Sequence, residues 1–264
     1  MDDAADAETQ HKNHAVYFVP GLHRGLRVLE IVAAARRPLS ITEIASELGL
    51  TRSSVFRLIY TLRHMGFLEE EQSKQFALGP RVLNIGFAFL ASKDIIEIAR
   101  PELEALRDET LVSAHLAIRD ERDVLYLSCV QTRSGFLSNM NVGSRVPAYA
   151  SPMGWLLLAG LPQAELEELF RKERFVPLTS QTPTSTQELI ATVEAAAARG
   201  HVVSRGVMEA AGSSISAPII DRRGAVVAAI DISGPDSAFD LDQIEGRYLA
   251  AVRAAAKRIS ERLG

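Results

Sequence analysis

From Thr51 to His64 the chain carries hydroxyls and cations and not one carboxylate: Thr51, Arg52, Ser53, Ser54, Arg57, Thr61, Arg63 and His64. Guanidinium and hydroxyl groups donate hydrogen bonds to phosphate oxygens and to the edges of bases, and an arginine can grip guanine with two bonds at once. That chemistry needs a rigid element to hold the groups in register. Val55, Leu58, Ile59 and Leu62 recur at helical spacing and form one apolar stripe. The polar groups therefore occupy the outer faces of a helix, which Thr51 can cap. Just upstream, Ser40 and Glu43 have the spacing of a capping box. Ile41, Ile44, Ala45 and Leu48 give a second stripe, and Gly49 supplies the stop. A helix, a tight turn and a second, acid-free helix form the pattern of a helix-turn-helix, whose second helix enters the major groove. An ordinary helical hairpin has the same outline and remains open at this point.

Other reactive residues offer less. Cys129 is the one cysteine and sits in the apolar run VLYLSCV, which suits a buried small hydrophobe better than a nucleophile. Gly212-Ser-Ser-Ile-Ser216 resembles a nucleophile loop only loosely, because the glycine two residues after either serine is missing. His115 and His201 fall in alternating, strand-like runs, where a structural role is the expectation. His11 and His14 have no partners spaced for a metal site. The sequence holds no phosphate-binding loop, dinucleotide fingerprint or zinc-spaced Cys/His set. We therefore expect no enzyme, no cofactor and no metal.

The 264 residues are 47% hydrophobic and 23% charged, with a net charge of −4, and the pI is near 5.9. This is the range of an ordinary globular chain and argues against a protein that coats nucleic acid indiscriminately. A lone thiol fits a reducing compartment. No apolar run reaches the roughly 18 residues of a membrane span, and the acidic start MDDAADAETQHKNH is no secretory signal. A cytoplasmic location is expected.

The elements that must position these groups follow in order. Residues 1–17 read as a disordered tail and Leu22 to Ala35 as a helix. After Met65-Gly66, Phe67–Glu71 and Lys74–Leu78 read as two strands around a polar turn, a wing with Lys74 at its tip to meet a phosphate. Arg81 to Lys93 is an apolar helix too greasy to stand exposed, so it should pack on its own head or on a second chain. Ile95 to Leu111 is helical. Ser113–Arg119 and Val124–Val130 form a hairpin, Phe136–Val142 reads as another strand, and Pro147–Ser151 is extended. Helices follow at Met153–Ala159, Gln163–Phe170 and Thr186–Ala198. Strands at His201–Ser204, Ser214–Ile220 and Ala225–Ser233 precede a closing helix, Asp240–Arg262. The layout is α+β around a mainly antiparallel sheet.

Taken together, GLHRGLRVLEIVAA, PLSITEIASELGLTRSSVFRLIYTLRHMGFLE, FALGPRVLNIGF, HLAIRDERDVLYL, NVGSRVPAYASPMG and SAPIIDRRGAVVAAIDISGP resemble the IclR family of bacterial transcription regulators. The resemblance runs over nearly all of residues 18 to 264. It implies a winged helix-turn-helix head (18–80), a linker helix (81–94) and a GAF-like effector-binding domain (95–264). It also implies a homodimer or homotetramer, double-stranded promoter DNA as partner, and a small organic effector, often an aliphatic or aromatic acid. Carried over residue by residue, the recognition helix is Thr51 through Met65, with Arg52, Ser53, Ser54 and Arg57 as contact candidates. Thr42 and the backbone near Ser40 would sit on phosphates.

The effector positions correspond to Ser151, Pro152, Met153 and Gly154, then Ser214 and Ser216, then Asp231 and Ser233. Here the chain departs from the family pattern. Trp155 stands where a basic residue often follows the glycine, serine stands where a cysteine is frequent near Ser214, and Asp231 replaces a small hydroxyl residue. A buried Asp231 would repel an acid, so a neutral or amine-bearing effector competes with an acidic one. Asp231 itself reads equally as a ligand contact or as a hydrogen-bonded structural carboxylate. A second reading, a small-molecule sensor whose head binds protein instead of DNA, draws some support from Glu69, Glu70 and Glu71 in the wing.

Overall fold

The computed structural model describes residues 16–132 and 140–263. The chain divides into two units, one ending at Ser92 and one beginning at Lys93.

In the first unit, α1 (Pro20–Ala35) is followed by β1 (Leu39–Ser40), α2 (Ile41–Leu48) and α3 (Arg52–His64). Ser40 and Glu43 close the expected capping box, and Arg37 braces the Glu43 carboxylate at 2.8 Å. These partners hold the Glu43 carboxyl at about 2, below its ordinary 4.5, with the Ser40 amide and hydroxyl as the leading causes. Gly49 ends α2 at φ +62°, the left-handed conformation the tight turn requires. The wing is β2 (Leu68–Glu71) and β3 (Gln75–Leu78) around a 3₁₀ turn, Gln72–Lys74. The short β1, not foreseen from the sequence, adds to β3 through Leu39 opposite Phe76. Val28, Val32, Ile44, Val55, Ile59, Leu68 and Phe76 share one core. That core locks α3 between the other helices and the wing. The unit ends in α4 (Arg81–Ala91), which buries no residue and leaves Leu83, Ile85, Phe87 and Phe89 exposed. Packing of this helix on its own head is therefore not what its apolar face serves.

The second unit opens with α5 (Asp94–Thr110) and is built on six antiparallel strands. These are β4 (Ala114–Asp120), β5 (Asp123–Val130), β6 (Arg145–Pro147), β7 (Val202–Arg205), β8 (Gly212–Ile220) and β9 (Val226–Pro235), in the order β6-β5-β4-β9-β8-β7. Between β6 and β7 lie α6 (Pro152–Leu158), α7 (Gln163–Phe170) and α8 (Thr186–Arg199). The chain closes with α9 (Leu249–Leu263) after 3₁₀ and π turns, so the closing helix begins later than its periodicity suggested. Ala117, Ala229 and Val202 of the sheet pack with Met153, Leu156 and Leu158 of α6 on one face. Residues of opposite parity, Leu116, Ile215 and Ile230, are fully buried toward the other side, where α5 and α9 contact the strands.

Several expectations shift. The strand expected over Phe136–Val142 falls mostly outside the described residues, and Met140 to Val142 are not strand. The stretch expected to be extended from Pro147 holds a 3₁₀ turn, Ala148–Ala150, and the pairing segment lies just before it. The tail expected over residues 1–17 also lies almost wholly outside the described residues. Among the described residues, no helix is long and apolar enough to cross a membrane.

Candidate functional site: a recognition helix and a hydroxyl-lined cavity

Thr51 is the N-cap of α3. Its Oγ1 accepts from the Ser54 amide at 3.3 Å and bonds the Ser53 and Ser54 hydroxyls at 3.1 and 2.9 Å. The three hydroxyls form a compact exposed cluster at the positive end of the helix, a natural seat for a phosphate oxygen. With about 100° between successive residues, Ser53, Arg57, Tyr60 and His64 make one row opposite the buried Val55 and Ile59. Arg52 and Arg57 are exposed, as are Thr42 on α2 and Lys74 in the wing turn. Arg63 is committed elsewhere: it pairs with Glu70 of β2 at 2.7 Å and lies over the Phe76 ring. Phe56 and Tyr60, passed over in the sequence, are exposed on this helix with ring centroids 6.5 Å apart.

In the second unit the strand register builds two polar rows on one face of the sheet. Cys129, His115, Asp231 and Ser216 stand opposite one another across β5, β4, β9 and β8. Two residues further along lie Ser204, Ser214 and Ser233, and the Ser233 amide donates to the Ser113 carbonyl. His115 and Asp231 are buried, with Nδ1 and Oδ1 2.7 Å apart. The Ser214 hydroxyl donates to the other carboxylate oxygen at 3.3 Å, and Ser233 Oγ lies 3.3 Å from the same His115 nitrogen. The Tyr126 ring meets the imidazole edge-on, with centroids 5.7 Å apart. Burial, with the Asp231 charge adding to it, pushes the Tyr126 phenol well up and the Cys129 thiol up to about 12. The thiol is half-buried rather than fully buried and stays protonated at neutral pH.

A cavity of about 510 Å³ opens over the outer row. This is the size of pocket that encloses a small organic molecule. Ser113, Ser204, Ser214 and Ser233 line it, together with Tyr126 and Glu209, and Glu209 is its one charged residue among the described ones. Of the residues expected at the effector site, Ser214, Ser233 and the neighbouring Pro152 reach this lining. Ser151, Met153, Gly154, Ser216 and Asp231 do not. Ser151 is the fully buried cap of α6, accepting from the Gly154 amide, and Met153 belongs to the core. Gly154 is a packing glycine, since a Cβ there would lie 2.2 Å from the Ala148 carbonyl oxygen. Trp155 is also core, with its indole N–H donating to the Tyr149 carbonyl at 2.8 Å. Ser216 and Asp231 lie in the row beneath the cavity floor, where His115 and Ser214 hydrogen-bond the Asp231 carboxylate. Ser113, Ser204, Tyr126 and Glu209 escaped sequence reasoning, because only the tertiary fold of strands and connecting segments brings them together.

Asp231, His115 and Ser233 are not disposed as a hydrolytic triad. Such a relay needs the carboxylate on one ring nitrogen of the histidine and the nucleophile on the other. Here Asp231 and Ser233 both face Nδ1. No cluster of histidine, cysteine and carboxylates among the described residues could hold a metal ion.

Comparison with known proteins agrees with this geometry. Residues 21–72 match the model of the IclR helix-turn-helix domain, and residues 87–261 match that of the bacterial transcriptional regulator IclR C-terminal domain. The Pca regulon regulatory protein of Pseudomonas putida is 30% identical over 93% of this chain and 84% of its own length. A solved structure from Rhodococcus sp. RHA1 superposes with a TM-score of 0.81 at 33% identity, covering 93% of this chain and 98% of that one. An IclR homologue from Microbacterium hydrocarbonoxydans, solved with 4-hydroxybenzoate, shares the fold at a TM-score of 0.78 and 24% identity, covering 92% and 98%. The chain belongs to the IclR family of bacterial transcription regulators, which bind DNA through the head and an effector through the second unit.

Proposed function

We propose that this regulator pairs through its linker helix and reads a two-fold operator with the outer row of α3. The observation that carries the reading is the contrast on α3 itself. Its inner stripe is consumed by the head core, while Arg52, Ser53 and Arg57 stand outside that core on a helix with no carboxylate of its own. Arg57 reads a base edge, Arg52 and the Thr51–Ser54 hydroxyls hold phosphates, and Thr42 and Lys74 hold flanking phosphates. The exposed Leu83, Ile85 and Phe87 of α4 are the apolar surface that a second copy would cover. Two like heads then require a palindromic site with half-sites about one helical turn apart.

The cavity over the serine row receives the effector. Its hydroxyls suit the hydrogen-bonding groups of a small organic molecule, and Glu209, the one charged lining residue among those described, does not favour an acid. Operator selection from random duplexes with the full-length protein tests the first half. Arg57→Ala should then cost about 1–3 kcal/mol on the selected site. Equal loss on all sequences would make Arg57 a phosphate contact, and no loss at any salt concentration would remove it from the interface. Thermal melting with 4-hydroxybenzoate and 4-hydroxybenzamide tests the second half through linkage. The amide should raise the melting temperature at least as much as the acid, and stabilisation by the acid alone would refute this assignment.

A further inference from the structure

Phe56 and Tyr60 raise a question the polar readers do not answer. The rings are 53% and 62% exposed, one turn apart on α3, with centroids separated by 6.5 Å. They contribute nothing to the head core, which Val55 and Ile59 of the same helix supply. Tyr60 falls in the outward row with Ser53, Arg57 and His64, and Phe56 flanks it. Two neighbouring rings left in water on a functional helix are surface that a partner should cover.

The charge around them selects the partner. Arg52 and Arg57 flank the pair, and no carboxylate occurs between Thr51 and His64. This surface complements a polyanion. The major groove offers one apolar group on its floor, the C5 methyl of thymine; every other feature there is a hydrogen-bond donor or acceptor. We infer that Phe56 and Tyr60 read thymine methyl groups in the major groove, beside the hydrogen-bonding readers Arg52, Ser53 and Arg57. One helical turn advances about 5.4 Å along the axis, and base pairs stack about every 3.4 Å. The two rings therefore address positions one to two steps apart in each half-site. The inference rests on DNA binding by α3, and it adds a thymine preference that arginine and serine cannot supply.

The test removes the methyl and nothing else. With an operator selected by the full-length protein, each thymine is replaced in turn by deoxyuridine and binding is measured. The wild type should lose about four-fold in affinity at one or more thymines per half-site, the worth of one buried methyl. The Phe56→Ala, Tyr60→Ala double variant should bind more weakly and respond equally to thymine and deoxyuridine. Arg57→Ala should still discriminate. A wild type indifferent to deoxyuridine at every position overturns the inference, as does a double variant that still discriminates. A double variant that binds DNA as the wild type does but loses self-association also overturns it, by assigning the rings to a second copy. The deoxyuridine scan needs no variant, so it decides even if the double variant folds poorly. Failure to select any operator would instead break the underlying assignment of α3.

Discussion

The recognition helix and the central sheet of the second unit both concentrate polar side chains, and they use them in opposite ways. On α3 the hydroxyls and guanidiniums are exposed, and the fold would survive without most of them. On β4, β8 and β9 the inner polar row is buried and bonded within itself and to the outer row: His115 with Asp231, and both Asp231 and Ser216 with the outer Ser214. The first arrangement, beyond its local hydroxyl bonds and the Arg63–Glu70 pair, leaves Arg52 and Arg57 exposed to a partner. The second spends its bonding capacity on itself and offers a ligand only the outer row. Exposed chemistry can be altered at the expense of function alone, whereas buried chemistry carries the fold with it.

The largest expected effect falls on the buried side. Asp231→Ala removes the buried carboxylate that both His115 Nδ1 and the Ser214 hydroxyl bond, and should destabilise the second unit by about 3 kcal/mol. Denaturant melts of the full chain would show this, and an unchanged midpoint would mean that the inner row is not structural. Arg57→Ala provides the contrast, since it should weaken operator binding and leave the melts unmoved. Next comes Gly154→Ala, where the added methyl meets the Ala148 carbonyl. It should cost about 2 kcal/mol through forced backbone movement. If it also shifts effector binding, α6 shapes the cavity wall beyond the reach of Pro152.

The smallest effect belongs to the head. Glu43 is held at about 2 against an ordinary 4.5. Its contribution is fully present above pH 4.5 and disappears as pH falls from there to about 2. The head of Glu43→Gln should therefore lose less stability across that window than the wild type, as followed by circular dichroism. Parallel acid profiles would remove Glu43 from the capping box in solution.

The same contrast explains what the sequence made legible. The head could be read because its signals are local: Ser40 and Glu43 three apart, Gly49 at the turn, Val55 and Ile59 at helical spacing. The wing, five of the second unit's strands and the β4–β5 hairpin followed from alternation and turn residues. The cavity did not, because its lining joins β7, β8, β9 and the start of β4, and pairing register is not a local property. Ser151 and Gly154, expected at the effector site, serve as a helix cap and a close backbone approach, roles that use the same residue types as an anion site. Phe56 and Tyr60 were overlooked because a hydrophobic residue on a helix is first taken for core. Helical spacing leaves the pair off the stripe of Val55 and Ile59, and their exposure shows that no other part of the head covers them.

The seam between β4 and β9 carries one more consequence, for how the second unit assembles. β4 forms a hairpin with β5, and β8 with β9, so the sheet is two local hairpins joined only by the β4–β9 pairing. His115 and Asp231 face each other across that seam from 116 residues apart. A slip of one residue would turn one of the pair to the opposite side, among Leu116, Ile230 and Ile232, leaving a carboxylate or an imidazole without its partner in an apolar layer. The pair therefore works as a check on alignment, penalising every register but one. Closing such a distant contact is the costly entropic step of a sheet. The second unit should thus refold more slowly than the head, and removing the check should show first as misaligned chains.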